Sequence, residues 1–158
     1  MSLIVDVNVL ARVIVMRSDL DFGPVSGRLF THAATAARLV HGGKLTEEYM
    51  KVSSAIRPLA ALDRMGRVLV CPKAAYEQQL GFVESSGICA SDDPHIIAIA
   101  RAMAVRLLCS LDKDLHADFT NPALLSRPRG KVYQNATHEH LLDRFCKEVA
   151  AQRAGRKP

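Results

Sequence analysis

Apolar residues occur along the chain in short runs and in longer segments where they recur every three to four positions. The short runs have the length and composition of buried strands, and they fall at residues 3–5, 68–71, 105–109 and 131–133. The segments between them show the spacing of helices with one buried face. Short strands that alternate with helices predict a parallel sheet covered by helices on both faces.

Turn and capping residues set the expected limits of the helices. Gly23-Pro24 indicates a loop. The Ala-rich stretch that follows is expected to be a helix capped by Ser26 and ended by Gly42-Gly43. A Ser-Asp-Asp-Pro segment at residues 91–94 is a strong helix start, because Asp caps exposed amides and Pro is tolerated in the first turn. The predicted helices span residues 7–16, 26–41, 46–66, 73–83, 94–103 and 138–152.

The composition is that of a single globular domain. The chain has 158 residues, enough to bury an independent core, and Leu, Ile, Val and Ala must build that core because Trp is absent. Its four cysteines form no C-x-x-C pair, which disfavours a structural zinc site or a disulfide framework. No signal peptide and no apolar run of spanning length is found, so we expect a cytoplasmic protein without a membrane partner.

The chain is basic, with a formal net charge of +5 and a pI near 9.2. This charge weakly favours polyanionic partners such as RNA. Basic residues are in excess in the C-terminal part, where they form either a solubilising surface or one that guides RNA toward acidic residues. They are Arg127, Arg129, Lys131, Arg144, Lys147, Arg153, Arg156 and Lys157.

Three acids are expected to meet at one edge of the predicted sheet. Asp6 follows the first strand, Asp112 lies just beyond the strand at residues 105–109, and Asp93 begins the helix that leads into that strand. Functional crevices in open α/β sheets lie at the carboxyl ends of the strands. Carboxylates gathered there repel one another unless a cation neutralises them, and hard ions such as Mg²⁺ or Mn²⁺ suit an all-oxygen site. Such ions assist attack on a phosphate.

Each of these acids also has a purely structural interpretation. Asp6 is placed to cap the helix after it, and Asp92 with Asp93 forms a good cap for the next one. Asp112 and Asp114 are also consistent with an ordinary surface turn. The functional interpretation therefore depends on the acids occurring together in one topology.

Three motifs in order resemble those of the PIN-domain nucleases, in particular the VapC-type ribonuclease toxins and their solitary relatives. Residues 6–10 are similar to the opening D-x-N-x-L of that family, with Val where Ser or Thr is usual. Residues 93–100 are similar to its D-x-x-x-x-A-x-A helix. Residues 107–115 match its apolar strand followed by T/S-x-D-x-x-L. The resemblance extends from residue 3 to about residue 133.

The resemblance implies a role for each matching residue. Asp6, Asp93 and Asp112 would be metal-binding acids. Glu48 would be the fourth catalytic acid, with Glu47 as the alternative. Supporting polar residues around the metal would be Asn8, Asp92, Ser110 and Asp114.

The resemblance also implies the architecture, cofactor and partners. It predicts a three-layer α/β/α sandwich with a mainly parallel sheet at residues 1–150. The chain departs from the compact toxins in its basic C-terminal extension, and the basic composition itself predicts a flexible tail at 151–158. The resemblance predicts a Mg²⁺- or Mn²⁺-dependent endoribonuclease that acts on RNA, with one or two ions. Homodimerisation is expected, and a toxin would have a small antitoxin partner.

Two rival functions remain. One is a non-catalytic RNA-binding or regulatory module that keeps the fold without turnover. The other is a metal-dependent phosphatase, which often has a D-x-D motif after the first strand, whereas this chain has Asn8 at the second position. His95 is expected on a surface helix beside the acids, and the His138-x-His140 pair is expected to be solvated rather than to bind metal.

Overall fold

A five-stranded parallel sheet forms the centre of the molecule. The computed structural model describes residues 1–33, 35–127 and 129–154, with side chains through residue 147. The strands are β1 (Ser2–Val5), β2 (Arg38–His41), β3 (Val68–Val70), β4 (Leu107–Cys109) and β5 (Lys131–Tyr133). Their order is β3-β2-β1-β4-β5, and all four strand pairings are parallel. The predicted parallel sheet is therefore confirmed.

Helices cover both faces of the sheet. They are α1 (Val7–Ile14), α2 (Gly23–Leu29), α3 (Gly43–Met50), α4 (Ile56–Arg64), α5 (Lys73–Ser86), α6 (Pro94–Met103), α7 (Lys113–Thr120) and α8 (Glu139–Ala154). Right-handed crossovers place α1 to α4 on one face and α5 to α7 on the other. The contacts agree, since α1 packs against α2 and α3 and α5 packs against α6. This confirms the expected three-layer α/β/α sandwich.

The two central strands are buried on both faces. Leu3, Ile4 and Val5 of β1 are fully buried, as are all three residues of β4. Such strands have near-continuous apolar sequences because helices cover both sides. The Tyr49 hydroxyl of α3 donates a hydrogen bond to the Val5 carbonyl, which ties that helix to the end of β1.

The predicted helix at residues 26–41 is wrong. Gly23 and Pro24 begin the short helix α2 rather than forming a loop, and Ser26 lies inside it. The segment at 38–41 is the buried strand β2, which pairs with both β1 and β3. The Ala-rich stretch favoured a helix by local propensity, whereas pairing to two neighbouring strands decides its structure here.

The predicted single helix at residues 46–66 is also wrong. Helix α3 begins at Gly43, and a turn of 3₁₀-helix at Ser53–Ala55 separates it from α4. Pro58 lies in the first turn of α4, where a residue without a backbone N–H is tolerated. In a continuous helix its ring would clash with the carbonyl of residue 54, so the helix cannot run unbroken through this segment. Glu47 and Glu48 consequently lie within α3 and not in a first turn. Helix α7 was not predicted.

The C-terminal segment extends α8 to Ala154. The predicted basic tail at 151–158 falls in part on residues 155–158, which lie outside the described residues, as do the side chains from 148 onward. The domain division at residue 150 therefore stays a prediction. Within the described part of the chain, none of the helices has the length and apolar character needed to span a bilayer.

Candidate metal centre

The strand order creates a crevice at the carboxyl ends of β1 and β4. The chain leaves β1 toward β2 and β3 on one side, and leaves β4 toward β5 on the other. At such a switch point the two connections diverge and leave space above the strand ends, where open α/β sheets bind their ligands. The first residues after β1 and β4 therefore face this crevice.

Asp6 follows β1 and has two structural roles there. Its backbone amide donates to the Cys109 carbonyl of β4 at 2.9 Å, which continues the sheet by one residue. Its carboxylate Oδ1 accepts from the Asn8 amide at 3.4 Å as the N-cap of α1. The side chain is only 2% exposed. The capping interpretation is thus correct, but Oδ2 remains directed to β4.

Ser110 connects Asp6 to Asp112. Its hydroxyl donates to Asp6 Oδ2 at 2.8 Å and accepts from the Asp112 amide at 3.0 Å. Asp112 caps α7, since its Oδ1 accepts from the amides of Asp114 and Leu115 at 2.9 and 3.2 Å. The carboxylates after β1 and β4 are therefore held in one hydrogen-bonded arrangement.

Helix α3 presents its two glutamates in different directions. Glu48 Oε2 lies 3.2 Å from His95 Nε2, and its Oε1 lies 3.6 Å from the Lys44 ammonium. Glu47 instead lines a cleft of about 780 Å³, which Val70, Tyr76 and other residues at the starts of α3 and α5 also line. The geometry favours Glu48 over Glu47 as the acid that belongs with the others.

Asp93 lies at the N-cap position of α6, yet its side chain makes no capping hydrogen bond. The predicted capping role is therefore wrong for this carboxylate. Its Oδ1 lies 3.9 Å from His95 Nδ1 instead. Asp118 holds the preceding loop, because its carboxylate accepts from the amides of Ala90 and Ser91 at 2.8 and 2.9 Å and from the Ser91 hydroxyl at 2.6 Å.

The four acids influence one another electrostatically. Burial raises the pKa of Asp6, and the charges of Asp112 and Glu48 add to the increase, while hydrogen bonds from Ser110 and Asn8 oppose it. Burial also raises the pKa of Asp93, to which the charges of Asp6 and Glu48 contribute. A cation among these carboxylates would offset both effects. The donor set therefore fits a divalent ion.

The supporting residues predicted by sequence differ in what they do. Ser110 joins two of the acids, as described above. Asn8 contributes its backbone amide, and its side chain is exposed. Asp114 likewise contributes its amide to the cap of α7, while Asp92 is exposed beside Asp93. The metal-supporting roles of these side chains stay predictions.

The burial of His95 and the role of Asp118 were not predicted from sequence. His95 was expected on the surface but is only 2% exposed, and burial lowers its pKa. Its position two residues after Asp93, on a helix whose following residues are apolar, was the available signal. The sequence around Asp118 gives no such signal, because Asp118 lies inside a helix far along the chain from the loop that it holds. Residues Glu48, Asp93 and His95 each offer a ligand atom, all within 4.8 Å of one another.

The His138-x-His140 pair forms local contacts. His138 Nδ1 accepts from the Gln134 amide at 3.1 Å, and His140 Nδ1 lies 3.1 Å from the Thr137 carbonyl. Among residues 1–33, 35–127 and 129–147, the cluster of Glu48, Asp93 and His95 is the one whose ligand atoms are close enough to share a metal ion. That the pair is solvated rather than metal-binding stays a prediction.

Comparison with known proteins gives one structural similarity. No family model and no curated protein matches the chain. The fold is similar to a chain in the crystal structure of VapBC2 from Rickettsia felis bound to a DNA fragment from their promoter, with a TM-score of 0.48 and 15% sequence identity. The match covers 84% of this chain and 97% of that chain.

Proposed function

We propose that this protein is a divalent-metal-dependent endoribonuclease. The observation that supports it best is the placement of Asp6, Glu48, Asp93 and Asp112. These acids come from four separate segments. Glu48 and Asp93 offer ligand atoms within 4.8 Å of each other, and Ser110 connects Asp6 to Asp112 through two hydrogen bonds. Such a set, at the switch point of a parallel sheet, has the ligands that Mg²⁺ and Mn²⁺ prefer.

The residues of such a site would have different roles. Asp6, Asp93 and Asp112 would hold one or two ions, and Ser110 would fix the relative positions of Asp6 and Asp112 through its two hydrogen bonds. Glu48 would complete the acidic set. When bound, a Mg²⁺ or Mn²⁺ ion would position a water and stabilise charge on the scissile phosphate. RNA as the substrate rests on the sequence motifs and agrees with the basic charge of the chain.

The experiment is cleavage of a circular single-stranded RNA, with a circular DNA of the same sequence as comparison, in the presence of Mn²⁺ or Mg²⁺. A circle has no ends, so linear products indicate endonucleolytic cleavage. We expect cleavage of the RNA that EDTA abolishes. Asp6→Asn, Asp93→Asn and Asp112→Asn should each lower the rate on the order of 10²-fold or more, because each removes charge from the ion's surroundings.

The neighbouring glutamates provide a matched pair. Glu48→Gln should lower the rate like the aspartate variants, whereas Glu47→Gln should retain most of it because that side chain lines the cleft instead. Glu84→Gln, on the exposed surface of α5, is the neutral control. Equal cleavage by wild type, Asp6→Asn and Asp93→Asn would exclude the proposed site.

The non-catalytic alternative makes a different prediction. An RNA-binding module that lacks turnover would bind RNA tightly while calorimetry detected no Mn²⁺ binding. The sequence motifs also predict a homodimer and, for a toxin, a small antitoxin. Light scattering of the purified protein tests the homodimer. Co-purification with the product of an adjacent small reading frame tests the antitoxin.

A further inference from the structure

His95 is a buried imidazole directed at the acidic set. It lies in the first turn of α6 with 2% of its surface exposed. Nε2 lies 3.2 Å from Glu48 Oε2, within hydrogen-bonding distance. Nδ1 is buried with no hydrogen-bond partner among the described residues, and it lies 3.9 Å from Asp93 Oδ1. One ring nitrogen therefore has a hydrogen-bond partner, while the other lies near a carboxylate but beyond hydrogen-bonding distance.

The Glu48 contact determines which nitrogen carries the proton in the neutral ring. A carboxylate accepts hydrogen bonds, so Nε2 is the protonated nitrogen and donates to Glu48. Nδ1 then carries a free lone pair, 3.9 Å from Asp93 Oδ1. Histidines that bind metal ions usually donate their other N–H to a carboxylate in this way, which fixes the tautomer and the ring orientation.

We propose that His95 Nδ1 is a nitrogen ligand of the metal centre, next to Asp93, and that Glu48 orients it. The inference rests on the proposed function and narrows its cofactor. Mg²⁺ prefers oxygen ligands at strict octahedral geometry, whereas imidazole suits transition ions. A mixed set of carboxylates and one imidazole selects Mn²⁺ or a similar transition ion over Mg²⁺.

Pulsed electron paramagnetic resonance of the Mn²⁺-loaded full chain tests the ligand directly. We expect modulation from a directly coordinated ¹⁴N in the wild-type protein. Growth with ¹⁵N-histidine should replace it by the ¹⁵N pattern, which assigns the nitrogen to histidine without any substitution. A Mn²⁺ spectrum without histidine nitrogen coupling would overturn the proposal.

Variants identify which histidine is bound. His95→Gln should lose the nitrogen coupling, and His95→Asn provides a second, smaller replacement if Gln does not fold. His32→Gln, at an exposed position, is the matched control and should keep the coupling. Coupling that persists in a folded His95 variant would contradict the proposal.

Affinity gives an independent readout. By calorimetry, wild type should bind Mn²⁺ more tightly than Mg²⁺, and His95→Gln should lose at least about tenfold in Mn²⁺ affinity with a smaller loss for Mg²⁺. If the protein cleaves RNA with Mn²⁺ but shows no nitrogen coupling, His95 is excluded as a metal ligand while the proposed nuclease function stands. Absence of Mn²⁺ binding by the wild type would exclude both.

Discussion

Asp6 is a carboxylate in a position that disfavours its own charge. The side chain is 2% exposed, and the charges of Asp112 and Glu48 act on it, so that its pKa is raised. Hydrogen bonds from Ser110 and the Asn8 amide offset only part of this effect. A residue selected only to cap α1 would not need a buried position beside other acids. The unfavourable environment is consistent with a site that binds a cation.

The first prediction concerns the stability of the metal-free protein. Folding raises the pKa of Asp6, so this side chain contributes to the stability of the folded state at pH values below its ordinary pKa of 3.8. The contribution is lost as the pH rises through the pKa that Asp6 has in the folded state. Asp6→Asn removes the charge and keeps an acceptor for Ser110. At pH 7 with EDTA we expect Asp6→Asn to be more stable than wild type by on the order of 1 kcal/mol. The difference should shrink toward pH 4.

Urea unfolding across this pH range measures the effect, with Asp63→Asn on the exposed surface of α4 as the control. Saturating Mn²⁺ should reverse the order, because binding to the folded state stabilises wild type and not the variant. A variant less stable than wild type at every pH without metal would show that Asp6 is mainly structural.

The sequence predicted the candidate site residues that directly follow strands. Asp6 and Asp112 were predicted because the ends of parallel strands share one edge of the sheet, and the structure places them just after β1 and β4. Asp93 was predicted from its position at a helix start, although the sequence alone implied a cap that its side chain does not make. His95 was misplaced, since its burial comes from α3 packing against α6, a contact between elements far apart in the chain. No local pattern encodes that contact.

At the scale of elements, α3 positions Glu48 through a close approach at its first residue. Gly43 has φ +46°, in the left-handed region, and a Cβ built there would lie 2.2 Å from Tyr76 Cζ. The adjacent Lys44 amide donates to the Tyr76 hydroxyl at 3.4 Å. The start of α3 is thus packed against α5 with no room for a side chain.

The second prediction is that Gly43→Ala destabilises the protein by about 2–4 kcal/mol, because it adds backbone strain and a steric overlap with Tyr76. Urea unfolding of the metal-free protein measures this change. Gly81→Ala in α5 is the matched control, since nothing lies within 4 Å of its added Cβ, and it should stabilise by about 0.5–1 kcal/mol. If both variants lost similar stability, the close approach at Gly43 would not be the reason.

The elements that the sequence predicted well are those with unambiguous local signals. Strand β5 and the start of α6 agree with the predictions because their limits are set by short apolar pairs and by Pro94. Strand β2 was missed because Arg38–His41 has polar residues at both ends and follows an Ala-rich stretch. Its position between β1 and β3 is a long-range property, and only the assembled sheet defines it.

At the scale of the whole molecule, the basic residues divide between the two edges of the sheet. Helices that follow parallel strands begin at the carboxyl edge, so Lys73 of α5 and Lys113 of α7 lie at the edge that carries the acids. Arg127 lies in the connection between α7 and β5, and Lys131 is the first residue of β5, so both are at the opposite edge. Arg127 and Lys131 are therefore not on the surface nearest the candidate metal centre.

The third prediction follows from this division. RNA that reaches the acids must pass the carboxyl edge, so Lys73→Gln with Lys113→Gln should weaken binding of single-stranded RNA and make it less dependent on salt. For single strands the slope of log affinity against log salt changes by about 0.7 per phosphate contact, so losing two contacts should reduce it by about 1.4. Fluorescence anisotropy on an Asp6→Asn background, across a salt titration, measures this slope.

The opposite edge supplies the matched control, with the same change of net charge. Arg127→Gln with Lys131→Gln removes two exposed positive charges from the amino edge. If net charge alone attracted RNA, both double variants would lose affinity equally. If the carboxyl edge is the binding surface, the Lys73 and Lys113 pair should lose more affinity and the control pair should keep the wild-type slope. A larger loss in the control pair would place the RNA on the edge away from the acids, and would separate RNA binding from the candidate metal centre.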